Sequence, residues 1–428
     1  MTLNYIWVGF LLVGFVVGLI RVLGYYYRDF FADALQITFS KADLNVFKSM
    51  FDSTFTSAET SISIVIYLIG IMTLWLGIMR VAERGGAIEI LSKLVNPFFC
   101  RLFPELPKNH PAFGSMIMNI SANMLSLDNA ATPMGLKAME ELQEANPKSD
   151  TASNAQIMFL VLNTSGLTVI PVTVMAYRAA EGAANPSDIF VPILIATYFS
   201  TVAGLVAVAI RQRINLMNAV VLGYLGGGTA IIASIIYFVN QMDQEQIGVF
   251  TTFSGTFIIM SVITFFMVLA VKKRINVYEA FIEGAKEGFQ VAVTIIPYLV
   301  AMLFAIGIFR ASGAMDILLD AIRFIVVGIG VNADFVEALP TAMMKPLSGS
   351  GARGMMIEAM QTYGADSFTG RLASTFQGST ETTFYTLAVY YGAVNIQKTR
   401  YTVTCGLIAD LAGIIAAIFI CYQFFYTA

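Results

Sequence analysis

The feature that most constrains this chain is the length of its uncharged runs. No residue carries a charge from Ile189 to Ile210, from Asn215 to Val239 or from Phe250 to Val271. A helix needs about 20 consecutive apolar residues to cross the hydrocarbon core of a bilayer, and each of these runs is long enough. Only 12% of the 428 residues are charged and 57% are hydrophobic, with a mean hydropathy of +0.73. A soluble chain carries roughly a quarter charged residues. With no water to satisfy its backbone inside lipid, such a chain spans as helices. The sequence therefore specifies an all-α polytopic membrane protein, with room for roughly ten to twelve passes, some of them half-length.

The same composition narrows the function classes. A net charge of −3 without any basic run gives no footing for a nucleic-acid partner. Cys100, Cys405 and Cys421 are scattered among apolar residues with no C-x-x-C, so buried thiols are expected, not a disulfide framework or a metal site. His110 lies in a loop, Leu-Pro-Lys-Asn-His-Pro, with no second His or Cys beside it, so no metal is expected there. Tyr5–Leu23 lacks a basic n-region and a small-residue cleavage site and is read as a retained helix. No nucleophile–base or metal constellation suggests an enzyme, and no cofactor is expected.

Two polar stretches interrupt the apolar pattern. The first, Asn119 to Gly135, carries Asn119, Ser121, Asn123, Ser126, Asp128, Asn129 and Thr132. Thr132-Pro133 predicts an N-cap and first helical residue, so a new helix starts inside the membrane. The second is Lys345-Pro-Leu-Ser-Gly-Ser-Gly-Ala-Arg-Gly354, where Ser350 is placed to cap a helix holding Met356 and Met360. It lacks G-x-x-x-x-G-K-[ST], so nucleotide hydrolysis is not expected. Polar residues and broken backbone at membrane depth are tolerated only against protein or a watery cavity. Helix starts there aim free N–H groups and a partial positive charge at a ligand, as in the discontinuous helices of secondary transporters.

The order of elements occurs twice. An amphipathic helix carrying Phe47, Phe51 and Phe55 precedes a span from Ile62 to Val81, a short apolar piece, the first polar stretch, and two long spans, Asn154–Tyr177 and Ile189–Ile210. A second amphipathic helix, with Tyr278, Phe281, Ile282, Ala285 and Phe289 on one face, opens the same succession, ending in Thr369–Val394 and Tyr401–Tyr426. Leu136-Lys-Ala-Met139 matches Ile357-Glu-Ala-Met360, Leu162-Asn-Thr-Ser165 matches Phe376-Gln-Gly-Ser379, and Tyr177 falls on Tyr391. The division is an N-terminal helix and linker (1–45), repeat one (46–213), a linking transmembrane hairpin (214–274) and repeat two (275–428). Basic residues cluster in 80–108 (Arg80, Arg84, Lys93, Arg101, Lys108) and at Arg211/Arg213. In repeat two they shift to the opposite end, Lys398/Arg400. By the positive-inside rule the repeats have inverted topology, against which only Arg21 and Arg28 stand.

The candidate solute-binding residues are Asn119, Asn123, Asn129, Thr132, Asn163, Thr164, Ser165, Ser348, Ser350, Arg353, Gln377, Ser379 and Thr380. For the hydroxyls the alternative is ordinary interhelical hydrogen bonding. Arg353 is a candidate clamp for a carboxylate or phosphate, with Asp128 and Glu381 as carriers of a coupling Na⁺ or proton. The bland alternative is an ion pair between Arg353 and one of these acids.

These motifs carry a resemblance. Leu-Trp-Leu-Gly-Ile-Met-Arg (74–80) and Asp-Asn-Ala-Ala-Thr-Pro-Met-Gly-Leu-Lys-Ala-Met (128–139) resemble spore maturation protein A. Phe-Arg-Ala-Ser-Gly-Ala-Met-Asp (309–316) and the stretch 345–354 resemble spore maturation protein B. The chain looks like a fusion of the two, in the nucleoside-recognition or Gate group with parts of the concentrative nucleoside transporters and of ferrous iron transporter B. The resemblance implies an inverted-repeat membrane fold with re-entrant helices, and implies a substrate only weakly. The expected function is a secondary transporter of a small polar solute, an anionic one favoured, working by alternating access and coupled to Na⁺ or H⁺. A multi-pass position in a bacterial cytoplasmic (inner) membrane goes with it, with lipid and solute as partners and a homo-oligomer compatible. The alternative is a non-transporting scaffold in envelope or spore maturation.

Overall fold

The computed structural model describes residues 2–35, 38–107, 110–125 and 128–426, without the side chains of 2–3, 33–35, 128–130 and 244. Lys108, Ser126 and the side chains of Asp128 and Asn129 therefore lie outside the described residues. The described residues form helices and no sheet. Two N-terminal helices, α1 (Thr2–Tyr26) and α2 (Arg28–Leu35), come first. They lead to α3 (Val46–Gly85), α4 (Ala87–Phe99), α5 (Ala112–Met124), α6 (Asp128–Glu144), α7 (Asn154–Ser165), α8 (Val172–Ala180) and α9 (Phe190–Gln212). After α10 (Ala219–Val239) and α11 (Gln244–Lys272), the succession returns as α12 (Val277–Ala311), α13 (Ala314–Gly328), α14 (Leu339–Met344), α15 (Gly349–Tyr363), α16 (Phe368–Ser379), α17 (Thr383–Ala393) and α18 (Thr402–Phe425). Seven of these, α1, α3, α9, α10, α11, α12 and α18, contain stretches long and apolar enough to cross a membrane.

Three expectations change. The amphipathic segments are not separate interfacial helices: Phe47, Phe51 and Phe55 lie on α3, which runs on unbroken through the span, and Tyr278 to Phe289 likewise belong to α12. Nothing in either sequence stops a helix at the junction, so amphipathic and apolar turns join. The spans Asn154–Tyr177 and Thr369–Val394, expected as continuous helices, are each broken, between Ser165 and Val172 and between Ser379 and Thr383. Gly166 and Pro171 break the first, Pro171 because it brings no N–H to the helix ladder. Three β-branched threonines around Glu381 (Thr380, Thr382 and Thr383), with Thr380 and Thr382 in extended backbone, break the second. Finally, α6 begins at Asp128, a turn before Thr132, and Pro133 sits inside it.

Antiparallel pairs relate the two repeats. Gly288 of α12 lies against Met72 O, Gly284 against Leu76 O, and Gly307 against Ser57 Oγ, so α12 descends along α3 as α3 rises. Ser57 Oγ donates to Leu303 O (3.1 Å) along the same seam. The contact face of α12 is Ala280, Gly284, Gly288 and Ala292, all small, letting two backbones approach. At one end Arg80 bonds Glu83 (2.8 Å) and Glu287, and Arg84 pairs with Glu283. The last helices also cross antiparallel: Gly204 of α9 meets Ala409, and Gly413 of α18 meets Ser200. Each opening helix turns into its short successor through a left-handed glycine, Gly86 (φ 90°) after α3 and Gly313 (φ 85°) after α12, a conformation that favours glycine.

The loops confirm the inversion. At one face Lys398 Nζ bonds Asp150 Oδ2 (2.8 Å), Ala152 N–H donates to Lys398 O (3.0 Å), and Asn154 Nδ2 donates to Glu105 (2.6 Å). Lys398 holds the Asp150 carboxyl below the usual carboxylate range. At the other face Arg178, Asp188, Asp366 and Arg371 interlock, and Asn332 meets Tyr422 and Tyr426. The base of hairpin α5–α6 lies at the first face, and that of α14–α15 at the second. Arg21, one of the two basic residues opposing the inversion, is not a free charge. Its Nε donates to Asp43 Oδ1 (2.6 Å) and its Nη1 to Ser312 O at the end of α12 (3.0 Å).

Candidate functional site

The two hairpin tips and the two helix breaks meet in one cavity of about 630 Å³. Its wall includes Asn123 at the end of α5, Thr132 in α6 and Asn163 near the end of α7. It also includes Ser348, Ser350 and Arg353 at the start of α15, and Glu381 in the second break. Seven of the sequence-derived candidates are thus brought together. Asn163 is held from both sides: Asn123 Nδ2 donates to its Oδ1 (2.8 Å) and its Nδ2 donates to Phe159 O (3.0 Å). The breaks touch directly, since Glu381 N–H donates to Thr164 O (2.8 Å), satisfying a carbonyl that the end of α7 leaves free. Glu381 itself is exposed at the cavity.

The start of α15 is capped by Ser348 and not by Ser350. Ser348 Oγ accepts from Gly351 N–H (3.0 Å), and its own contact with Ser350 Oγ is 3.2 Å. The turn before it is tied to α17, whose Phe384 N–H donates to Pro346 O (3.0 Å). Ser348→Ala is expected to lower stability by about 1 kcal/mol through loss of the cap, while Ser350→Ala changes it far less. Paired melting curves of the two detergent-purified variants check this, and equal effects would remove Ser348 from the capping role.

Arg353 is the fifth residue of α15. Its guanidinium lies 5.4 Å from the centre of the Tyr177 ring, and Nε is buried without a hydrogen-bond partner. Among the described residues it makes no salt bridge, so the alternative of an ion pair with Glu381 does not hold in this structure. A half-buried guanidinium with an open Nε donor near a helix N-terminus has the chemistry to bind an anionic group.

The other candidates lie behind the wall. Asn119 is fully buried, with Nδ2 donating to Ala131 O (2.7 Å) and to Tyr390 OH (3.3 Å), so it braces hairpin α5–α6. Thr164, Ser165 and Ser379 turn their hydroxyls back onto their own helices, at Val161 O, Leu162 O and Phe376 O. Gln377 and Thr380 are buried at the second break. The wall also contains Thr382, and it contains Tyr298 of α12 and Tyr385 and Tyr390 of α17, which the sequence reading missed. The cluster of Thr380, Thr382 and Thr383 around Glu381 is the available signal, because a break there exposes the residues after it.

Comparison with known proteins adds an independent line. The nucleoside-recognition (Gate) family model matches two regions, residues 65–180 and 292–397. Spore maturation protein B of Bacillus subtilis (strain 168) is 49% identical over 148 residues, 35% of this chain and 82% of that protein. Spore maturation protein A of the same organism is 40% identical over 155 residues, 36% of this chain and 79% of that protein. No solved structure matches the chain significantly. The chain unites similarity to both spore maturation proteins, as a fusion of the two does. With its long apolar helices, paired hairpins and twofold family match, it is a multi-pass membrane protein belonging to the nucleoside-recognition (Gate) family.

Proposed function

We propose that the protein is a secondary transporter of a small polar solute with an anionic group, working by alternating access in a bacterial cytoplasmic membrane and coupled to Na⁺ or H⁺. It is proposed as a binding and moving device, not an enzyme. One observation carries this reading: Arg353 stands in a cavity where hairpins from opposite faces meet, with no acidic partner among the described residues. Hairpins of opposite entry are suited to opening that cavity to one side and then the other. Glu381 at the cavity and Asp128 at the start of α6 are the coupling candidates of this reading. The relatives are named for spore maturation, which favours, as a second reading, a membrane scaffold in that process.

The test is thermal stabilisation of the detergent-purified protein across nucleosides, dicarboxylates, amino acids and inorganic phosphate. Saturation at 100 times Kd adds roughly 2.7 kcal/mol to the folded state, a readable shift in melting temperature. An anionic compound is expected to give such a shift, and Arg353→Ala is expected to abolish it while melting close to wild type without ligand. If no compound shifts the curve and Arg353→Ala is simply less stable, the scaffold reading replaces this one.

A further inference from the structure

The carboxylate of Asp410 lies outside everything used so far. It is the only charge between Tyr401 and Tyr426, and it is 2% exposed in the middle of α18. Leaving an ionised carboxylate at membrane depth is expensive, so such groups carry function more often than packing. Its Oδ2 accepts from Thr383 Oγ1 (2.7 Å). Its Oδ1 is buried and has no hydrogen-bond partner. The Thr380 hydroxyl stands close enough to act on the same carboxylate. One turn along α18, a side chain at Gly413 would meet Thr380 and Ser200, and Ser200 Oγ is likewise buried without a partner.

Among the described residues the charged group acting on Asp410 is Lys345, 6% exposed, in the turn between α14 and α15. The charges on the other packed elements act elsewhere: Arg211 of α9 near Cys405, and Arg371, Arg178 and Asp188 near Cys421. The position is mechanically placed. Thr383 is the first residue of α17, whose preceding residue, Thr382, makes no side-chain cap. An acid oxygen bonded to Thr383 at that end stabilises the helix start through its charge. Thr382 and Glu381, immediately before it, form part of the cavity wall.

We propose that Asp410 is a proton-carrying residue of this protein in addition to the cavity acids, taking the proton on Oδ1 and passing the change in charge through Thr383 to the second helix break. The Oδ1–H bond forms as an O–H bond of a hydronium ion breaks to leave water, and the reverse transfer returns the proton. A proton needs no room in a packed site, whereas a metal cation needs a shell of converging oxygens. Protonation turns a charge-assisted Thr383 bond into a weaker neutral one, releasing the hold on the start of α17. The role of this proton in coupling rests on the transporter reading, but its presence does not.

The test is infrared difference spectroscopy of the full-length protein in lipid, between acid and alkaline pH and with no solute added. A C=O stretch of a protonated carboxylic acid is expected in wild type and lost in Asp410→Asn. Thr383→Val, which keeps the acid but removes the hydrogen bond to Oδ2, is expected to move the band to higher frequency. Replacing choline by Na⁺ at fixed pH should leave the band unchanged. The proposal is overturned if the band survives in Asp410→Asn, if Thr383→Val leaves it in place, or if Na⁺ abolishes it, the last pointing to a sodium site. A band that behaves as expected in a protein no solute stabilises would sink the transporter reading and keep the proton site. A solute shift without the band would do the reverse.

Discussion

Replacing Gly288 by leucine is expected to prevent the protein from reaching a stable fold. A Cβ at 288 would lie 2.5 Å from Met72 O and 2.7 Å from Thr73 Cα, and backbone atoms cannot step aside as a flexible side chain can. The helices must separate, and α3 and α12 then lose contact along their length. Losses above about 4 kcal/mol come from this kind of core disruption. The expected readout is aggregated material in size-exclusion chromatography where wild type is monodisperse. Gly70, on α3 with nothing within 4 Å of a would-be Cβ, is the control. Gly70→Ala should stabilise by roughly 0.5–1 kcal/mol from helix propensity alone. If both variants behave alike, the small-residue seam is not what holds the repeats together.

The second large effect is expected at Arg178. Its guanidinium is fully buried, donating to Ala365 O (2.6 Å), Asp188 Oδ1 (3.0 Å) and Asp366 Oδ1 (3.0 Å). Arg371 Nε holds the other oxygen of Asp188 (2.7 Å), and Asp366 Oδ2 accepts from Ala184 N–H (2.8 Å). Arg178→Met leaves one buried acid half-compensated and the loop after α15 without its tie to α8. Removing one partner of a buried ion pair costs about 3–5 kcal/mol, which should appear as a large fall in melting temperature. Lys398→Met cuts the exposed pair with Asp150 at the opposite face and is expected to cost under about 1 kcal/mol. A mild effect of Arg178→Met would mean that the face is held by packing and not by this network.

Much of this arrangement is legible in the residues. The uncharged runs announce the membrane, the matched tetrapeptides announce the repeat, and the two polar stretches announce the hairpins that meet in the cavity. What escapes is whatever depends on a partner far along the chain. Asn119 and Asn123 look alike in sequence, yet one braces Ala131 and Tyr390 while the other faces the cavity. Ser348 and Ser350 compete for one cap, and the path of the turn decides between them. The broken spans were hidden because their apolar content is that of a continuous helix, with Gly166, Pro171 and Thr380–Thr383 the only interruptions. The seam of α12 was hidden for another reason: hydrophobic pattern selects large apolar residues, and here the buried stripe is alanine and glycine. Asp410 was visible as a lone charge in an apolar run, and its significance came only with its unpartnered oxygen.

The antiparallel pairing of α3 with α12 and of α9 with α18 has a consequence for how the molecule is made. During synthesis the ribosome delivers α3 to α9 before α12 exists, so at that stage the Leu76 and Met72 seam has no α12 to cover it. Arg80 and Arg84 then lack Glu283 and Glu287, and Arg178 lacks Asp366. On this pairing the first half is expected to complete its packing only when the second is in place, in one late closure and not two successive ones. Two separately translated halves would face the same requirement as a stoichiometric pair: each would be an orphan subunit until its counterpart arrived.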